Sequence, residues 1–288
     1  MAESRRGPPV RFREVLSGLR FPESPRWHAG RLWFSEKRAG RVVRLDADGP
    51  TSVVAVPADP GGLGWTASGE LLVVSMGDRR LLRLGEGGLV ETADLAHLTR
   101  GKCNDLVVDR FGRAYVGDFG YDLAGGEEPA GGCLVLVDAT GAPRVVAGDL
   151  GFPNGSVTTP DGGTLIVAES SAGRLTAFDI GTDGGLHGRR VFADLGGGVA
   201  DGICLDAEGA VWYADPLGCE VVRVADGGRV LERVSTGNEG AFACVLGGYD
   251  GRELFVCTYS EAASIDPAGP PVGRIVATRV EVPSAGSP

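Results

Sequence analysis

The chain has 288 residues, of which 43% are hydrophobic and 23% charged, enough to bury a core in one large β domain or two ordinary domains. Its formal net charge of -10 would repel a phosphate backbone, and no cluster of basic residues offsets it, so nucleic acid is excluded as a partner. No apolar run approaches the roughly 20 residues of a membrane span, and the first residues hold no secretion signal, so we expect a cytoplasmic protein without a membrane partner.

One phrase recurs along the chain: a glycine, then an apolar run rich in β-forming residues that often closes on a small or acidic residue. In chain order the six copies begin at Gly30 (GRLWFSE), Gly69 (GELLVVS), Gly112 (GRAYVGD), Gly163 (GTLIVAE), Gly209 (GAVWYAD) and Gly251 (GRELFVC). The intervals between these glycines are 39, 43, 51, 46 and 42 residues. A four-stranded propeller blade needs about 40 to 50 residues, so the spacing indicates one blade per copy.

Each copy is flanked by further strand signals. An apolar segment such as GICLDAEG precedes the glycine, and a third strand such as GRVVRLDADG follows, with Asp-Gly and Gly-Gly pairs for tight hairpins. Long stretches with the 3.6-residue period of helices are missing. The pattern predicts an all-β fold, a six-bladed β-propeller. A β-sandwich is the competing interpretation, but it does not predict six similar units at this spacing.

The two ends of the repeat region complete each other. The N-terminal VRFREVLSG has no partner of its own, and the last copy lacks an outer strand after GRIVATRVEV, residues 273–282. We predict that the N-terminal strand closes the last blade and removes the open edges of the ring, which favours a monomer. The expected organisation is a single domain over residues 11–283, with flexible ends at 1–10 and 284–288.

Polar side chains stand at four of the six points where an innermost strand enters beside the central channel. They are Glu23, Asn104, Asn154 and Asp201. Two carboxylates and two amide oxygens at one end of the channel suit a divalent cation, Ca²⁺ above all, with Mg²⁺, Mn²⁺ or Zn²⁺ as alternatives. At any one position the simpler interpretation is a turn in which the side chain bonds the backbone. Equivalent places in four blades favour the cation site.

Four segments make the chain resemble the senescence marker protein-30, gluconolactonase and luciferin-regenerating enzyme family of six-bladed propellers. They are FPESPRWHAGRLWFSE, CNDLVVDRFGRAYVGD, FPNGSVTTPDGGTLIVAES and ADGICLDAEGAVWYADP, in the family's order and spacing. The resemblance implies that Glu23, Asn154 and Asp201 bind one divalent metal. It also implies that Asn104 contacts substrate beside the metal and that Asp201 is the catalytic acid/base. Ser24 and Lys102 depart from the Gly and Arg frequent in the family, which leaves the substrate open.

Lys102 is one of only two lysines among 28 basic residues; the other is Lys37. Two residues before Asn104 on an extended strand, Lys102 is expected to point to the same side. There it would bind a substrate carboxylate or hydroxyl, or act as a Schiff-base amine. The alternative is a solvated surface lysine. Strand alternation turns Cys103 away from Asn104, and we predict that this thiol packs in the core.

Neither the cysteines nor the histidines form a recognisable catalytic or metal motif. The six cysteines are scattered, without C-x-x-C spacing or the density of a disulfide scaffold, and are expected to be reduced. The three histidines lie in predicted turns and connections, so a serine triad is not supported.

These residues favour a divalent-metal-dependent hydrolase of a small lactone or ester. The cation would polarise the carbonyl while Asp201 accepts a proton from water, although direct binding to a cation lowers the basicity of a carboxylate. One alternative is a non-hydrolytic isomerase, lyase or cyclase that tailors a specialised metabolite at the same metal pocket. The other is a binding protein with a structural metal.

Overall fold

The computed structural model describes residues 12–123, 125–260 and 270–286, which form six four-stranded antiparallel sheets. The predicted all-β class and the six-bladed propeller are confirmed. The expected flexible N-terminal residues 1–10 lie outside the described residues, as do 287 and 288 at the other end. Within the described ranges, no helix has both the length and the apolar character needed to cross a membrane.

The strands follow one another in a regular order. They are β1 (Arg13–Leu19), β2 (Pro22–His28), β3 (Arg31–Glu36), β4 (Arg41–Asp46), β5 (Gly49–Ala55), β6 (Pro60–Trp65), β7 (Leu71–Ser75), β8 (Arg80–Gly85), β9 (Gly88–Asp94), β10 (Cys103–Val108), β11 (Ala114–Asp118), β12 (Gly132–Val137), β13 (Pro143–Leu150), β14 (Pro153–Thr158), β15 (Thr164–Glu169), β16 (Arg174–Ile180), β17 (Leu186–Asp194), β18 (Ile203–Leu205), β19 (Val211–Asp215), β20 (Glu220–Val224), β21 (Val230–Ser235), β22 (Gly240–Gly247), β23 (Glu253–Tyr259) and β24 (Gly273–Arg279). Two short 3-10 turns, Lys37–Ala39 and Ser170–Ala172, follow β3 and β15.

The ring closes through the N-terminal strand, as predicted. Blades 1 to 5 each use four consecutive strands, from β2–β5 to β18–β21, whereas blade 6 has the order β22-β23-β24-β1. Strands β1 and β24 are antiparallel, and their register runs from Arg13 opposite Ala277 to Leu19 opposite Gly273. Mixing the first and last strands in one sheet ties the N-terminal strand to the last blade and pairs the outer edge of β24, with β1 as the edge strand of that blade.

The core lies between the blades rather than within one compact centre. Six clusters of buried apolar side chains occur, and each draws its members from two neighbouring blades. The cluster between blades 4 and 5, for example, packs Ile166 and Phe192 against Ile203 and Tyr213. Since every blade buries both of its faces, removal of one blade would expose two clusters, which makes the ring cooperative.

Glycines let the innermost strands approach each other closely around the channel. A Cβ atom at Gly62 in β6 would lie 2.2 Å from the backbone nitrogen of Leu106 in β10. One at Gly155 in β14 would lie 2.5 Å from the nitrogen of Ile203 in β18. Any larger residue would push these strands apart, so the glycines fix how near to one another the side chains at the start of each strand can be.

Candidate functional site

The four predicted site residues occupy equivalent places in their blades. We call the end of the propeller where the innermost strands begin the entrance end. The first ladder pairs there are Pro22↔Glu36, Cys103↔Asp118 and Pro153↔Glu169, and the site residue follows each of them directly. In β10 and β14 the site residue lies within a β-bulge, where two residues face one on the partner strand, and in β2 such a bulge begins directly after Glu23. Asp201 holds the corresponding place in blade 5, where its N–H donates to the Ala214 carbonyl at 2.9 Å. Because bulges re-aim side chains, simple strand alternation does not apply here.

Glu23 and Asp201 form an electrostatically coupled pair of carboxylates. Burial raises the pKa of Glu23 from 4.5 to about 7; the charge of Lys37 opposes this rise, and that of Asp105 adds to it. Burial and then the neighbouring charge of Glu23 raise the pKa of Asp201 well above its usual value. The charge of Glu23 thus acts on Asp201, as expected for two carboxylates in one site.

The two amides join this pair through a chain of hydrogen bonds. Asn104 Nδ2 donates to Asn154 Oδ1 at 2.9 Å, and Asn154 Nδ2 donates to Ser170 Oγ at 3.2 Å. The Asn154 side chain also donates to Asp201, which counteracts the burial-driven rise in the Asp201 pKa. Ser170 Oγ in turn donates to the Ala200 carbonyl at 2.6 Å, next to Asp201 in the sequence. The structure thus brings Glu23, Asn104, Asn154 and Asp201 together.

A buried ion pair that the sequence did not predict lies beside these residues, and its charges act on Glu23. Arg26 Nη2 lies 2.7 Å from Asp105 Oδ1, and both side chains are more than nine-tenths buried. The same guanidinium donates to the carbonyls of Leu63 and Leu106 at 3.0 and 2.7 Å. These contacts join the innermost strands of blades 1, 2 and 3 next to the site. The only sequence signal was an arginine and an aspartate near two of the entrances.

Lys102 lies at the entrance end but does not extend along β10, which begins at Cys103. Its ammonium Nζ is 3.1 Å from Asp59 Oδ2 of the neighbouring blade, and both side chains are over two-fifths exposed. The backbone explains this position. The Lys102 carbonyl accepts a hydrogen bond from the N–H of Phe119, the first residue after the second strand of blade 3. The carbonyls of Phe21 in blade 1 and Phe152 in blade 4 accept the equivalent hydrogen bond in their blades. Lys102 is therefore a residue of the entrance turn, and substrate contact by Lys102 remains a prediction.

The other lysine, Lys37, is a site residue that sequence reasoning missed. With Phe21, Arg38 and Asp59 it lines a cavity of about 380 Å³ at the entrance end. Its charge acts on both Glu23 and Asp201 and opposes the rise that burial imposes on their pKa values. The scarcity of lysine in the chain was a signal for Lys37 as much as for Lys102, but Lys37 follows the second strand of its blade and not the innermost strand.

The remaining candidates lie away from the chemistry. Cys103 is fully buried in the cluster between blades 2 and 3, and burial raises its pKa to about 12, so it stays a neutral thiol. His28 stacks on Trp65 with ring centroids 3.9 Å apart at the end of β2, the opposite end of that strand from Glu23. The expectation that Cys103 packs in the core agrees with its position in the structure.

The site's donor set differs from a histidine- or cysteine-rich metal centre. In the part of the chain that the structure describes, no three histidine, cysteine, aspartate or glutamate side chains cluster in a way that could hold a metal ion. The predicted set has only two such residues, Glu23 and Asp201, and completes its oxygen donors with Asn154. Hard oxygen donors of this kind suit calcium or magnesium better than softer metals.

Fold and site together define a six-bladed propeller with a polar, carboxylate-bearing pocket at one end of its channel. The chain belongs to the SMP-30/gluconolactonase/LRE-like family, whose model matches residues 21–260. The resemblance noted in the sequence is thereby confirmed.

Relatives with named activities cover almost the whole chain. A 6-deoxy-6-sulfogluconolactonase from Pseudomonas putida is 31% identical over 278 residues, which are 92% of this chain and 93% of the relative. A pentonolactonase from Haloferax volcanii is 30% identical and covers 85% of this chain and 84% of its own. Among solved structures, a luciferin-regenerating enzyme superposes with a TM-score of 0.82 over 96% of this chain and 98% of its own, at 16% identity. That last likeness concerns the fold alone.

Proposed function

We propose that this protein is a divalent-metal-dependent hydrolase of a small sugar lactone. The observation that carries the proposal is the convergence of Glu23, Asn154 and Asp201 from three blades on one end of the channel, with Asn104 beside them. The names of the two relatives, both sugar lactonases, support the reaction class. A lactone and a simple ester share the same reacting carbonyl, and the relatives favour the lactone.

The residues present fit a hard divalent cation, with Ca²⁺ as the first choice. Two buried carboxylates with raised pKa values, one of them raised in part by the charge of the other, are the arrangement that such an ion stabilises. Glu23, Asn154 and Asp201 would hold it. The Asn154 oxygen accepts a hydrogen bond from Asn104 and its nitrogen donates to Asp201, so this amide would turn to offer its oxygen to the cation. When bound, the cation polarises the lactone carbonyl and stabilises the negative charge that develops on its oxygen.

The chain's own residues perform the proton transfer and the positioning. Asp201 accepts a proton from the water molecule whose oxygen bonds to the carbonyl carbon. The ring carbon–oxygen bond then breaks, the ring oxygen takes up a proton, and the product is the open hydroxy acid. Asn104, held by Asn154, offers hydrogen bonds to the hydroxyl groups of the sugar. The buried Arg26–Asp105 pair, on the same innermost strands as Glu23 and Asn104, would help to hold these strands in place.

The decisive experiment is hydrolysis of a panel of sugar lactones with and without a chelator. We expect turnover that the chelator abolishes and Ca²⁺ restores, with a product one water molecule heavier than the substrate by mass spectrometry. Asp201→Asn should lower kcat by about 1000-fold, since it removes the base. Asp226→Asn is the matched control. This exposed aspartate lies in the β20–β21 hairpin, away from the site, and pairs with Arg190 of β17. Full activity in Asp201→Asn, or a product of unchanged mass, would contradict the proposal.

A further inference from the structure

The first residue after the second strand lies at the entrance end in blades 1 and 4. The N–H of Lys37 donates to the Phe21 carbonyl at 3.0 Å, and the N–H of Ser170 donates to the Phe152 carbonyl at 3.1 Å. In blade 4 the side chain at this position contacts the site, because Ser170 Oγ accepts a hydrogen bond from Asn154. Lys37 holds the equivalent place in blade 1. The fold therefore puts an ammonium group at a position from which a side chain can reach the pocket.

The Lys37 ammonium keeps donors to offer to a ligand. Within the part of the chain that the structure describes, no hydrogen bond or ion pair joins its Nζ to another residue. Asp59, the acid that lines the same cavity, pairs with Lys102 instead, at 3.1 Å. The contact of the Lys37 ammonium is with the ring of Phe21, whose centroid is 5.5 Å from Nζ. Since an ammonium carries three N–H donors, this group can bind an oxygen atom of a ligand in the cavity.

Lys37 is also electrostatically coupled to both carboxylates of the site. Its charge opposes the rise that burial imposes on the pKa of Glu23 and on the pKa of Asp201. In both cases it is the largest of the interactions that favour the charged form of the acid. An ammonium at the entrance cavity is thus close enough to act on the residues that the proposed reaction uses.

The proposed lactone hydrolysis needs two proton transfers, and only one of them has a residue assigned so far. Asp201 takes a proton from the attacking water. The ring oxygen would leave as an alkoxide, which is a poor leaving group, unless an acid protonates it as the carbon–oxygen bond breaks. The reaction therefore calls for a general acid beside the pocket.

Few of the groups around the pocket can fill that role. The amides of Asn104 and Asn154 donate hydrogen bonds but do not give up protons. The Ser170 hydroxyl already donates to a backbone carbonyl at 2.6 Å. Arg26 is a guanidinium, which stays protonated in proteins. An ammonium can give up a proton, and Lys37 supplies one.

We propose that Lys37 is the general acid of the lactonase reaction and that its ammonium protonates the ring oxygen. The inference rests on the proposed lactonase function and adds a catalytic residue to it. The water oxygen bonds to the carbonyl carbon and gives one proton to Asp201. The bond from that carbon to the ring oxygen breaks, the ring oxygen takes a proton from Lys37, and the open hydroxy acid results. Return of the proton from Asp201 to the Lys37 amine restores both groups.

The test measures kcat for the preferred lactone of the panel in saturating Ca²⁺. Lys37→Ala should lower kcat by about 100-fold, as loss of a general acid does. Lys37→Arg should lower kcat by at least about 30-fold, because a guanidinium keeps the positive charge but does not give up its proton. Methylammonium, which carries a transferable proton, should raise kcat of Lys37→Ala by about tenfold. Tetramethylammonium at the same concentration carries the charge without an N–H and should not.

Two controls separate proton donation from a structural role. Arg229→Ala also removes one positive charge and should leave kcat unchanged, because Arg229 is exposed in the β20–β21 hairpin, away from the entrance end. The rise in Tm on addition of Ca²⁺ does not depend on turnover. It should be at least as large in Lys37→Ala as in the wild type, since removal of a positive charge near Glu23 and Asp201 favours the cation.

The outcomes distinguish failure of this inference from failure of the lactonase proposal. If the wild type shows chelator-sensitive turnover and Lys37→Arg keeps most of it, Lys37 acts through its charge alone and the inference is wrong, while the lactonase proposal stands. Loss of the calcium-induced rise in Tm in Lys37→Ala also overturns the inference alone, as does equal recovery with both ammonium salts or with neither. If the wild type hydrolyses no member of the lactone panel, the lactonase proposal fails and the inference falls with it.

Discussion

Glu169 and Glu23 lie at the same end of the propeller but in opposite electrostatic settings. Glu169 is fully buried and accepts hydrogen bonds from Gly151 N–H at 2.7 Å, from Arg174 at 2.9 Å, from Arg189 at 3.3 Å and from Thr176. Burial would raise the pKa of Glu169, but these hydrogen bonds outweigh it and hold the pKa below its usual value. Burial dominates at Glu23, whose pKa is raised to about 7.

The difference separates the acids that bind the entrance turns from the two acids of the proposed site. Acidic residues at the ends of second strands recur at Glu36, Asp118, Glu169 and Asp215, and each accepts backbone N–H groups of nearby turns. These side chains hold the entrance turns together. Glu23 and Asp201 lie at the entrances of the innermost strands instead, and burial outweighs the interactions that favour their charged forms. Raised pKa values of this kind are typical of functional sites, and they agree with the cation site that we propose.

Glu169→Gln tests the structural half of the comparison and has the largest expected effect on stability. The substitution keeps the size of the side chain but leaves Arg174 and Arg189 without their anionic partner. We expect the free energy of unfolding to fall by about 3 kcal/mol, measured by urea denaturation near neutral pH. An unchanged midpoint would show that Glu169 does not stabilise the entrance turns.

Calcium titration tests the functional half. Binding to Glu23 and Asp201 should stabilise the folded state by about 2.7 kcal/mol when free Ca²⁺ is about 100 times its Kd. The rise in Tm should be absent in Asp201→Asn and fully present in Asp226→Asn. A rise of equal size in both variants would place the ion elsewhere.

Glu23→Gln should stabilise the metal-free protein in alkaline solution, the opposite of Glu169→Gln. The raised pKa means that folded Glu23 holds its proton longer than unfolded Glu23, so stability falls as pH rises from 4.5 through about 7. Removing the carboxyl removes that loss. Relative to wild type, the variant should gain about 1–3 kcal/mol above pH 7 and nothing below pH 4.5, by denaturation with chelator present. A difference independent of pH would contradict the raised pKa.

Lys102→Met should have the smallest effect on stability. The ion pair with Asp59 is exposed on both sides, so its loss should cost less than about 1 kcal/mol. If Lys102 contacts substrate, kcat/KM for the preferred lactone should nevertheless fall several-fold. A stable variant with unchanged kcat/KM would assign Lys102 to the surface.

The repeat pattern by itself determined the architecture. Six glycine-led phrases at blade spacing specify six sheets, because each sheet needs the same alternation of apolar runs and tight hairpins. The unpaired segments at the two ends specified the closure between β1 and β24. The same repeat placed Glu23, Asn104, Asn154 and Asp201 at equivalent positions, since an error of one residue in turn length does not change which strand entrance a residue belongs to.

Tertiary structure decided what the repeat could not encode, which is how residues from different blades meet. Lys37 and Arg38 line the cavity at the entrance end from the turn after a second strand. Arg26 of blade 1 contacts Asp105 of blade 3, which is 79 residues away in the sequence. The bulges at the strand entrances cancel the alternation on which the orientation of Lys102 was predicted. Side-chain direction at such points depends on backbone irregularity and on the neighbouring blade's charge, and both arise only when the ring is closed.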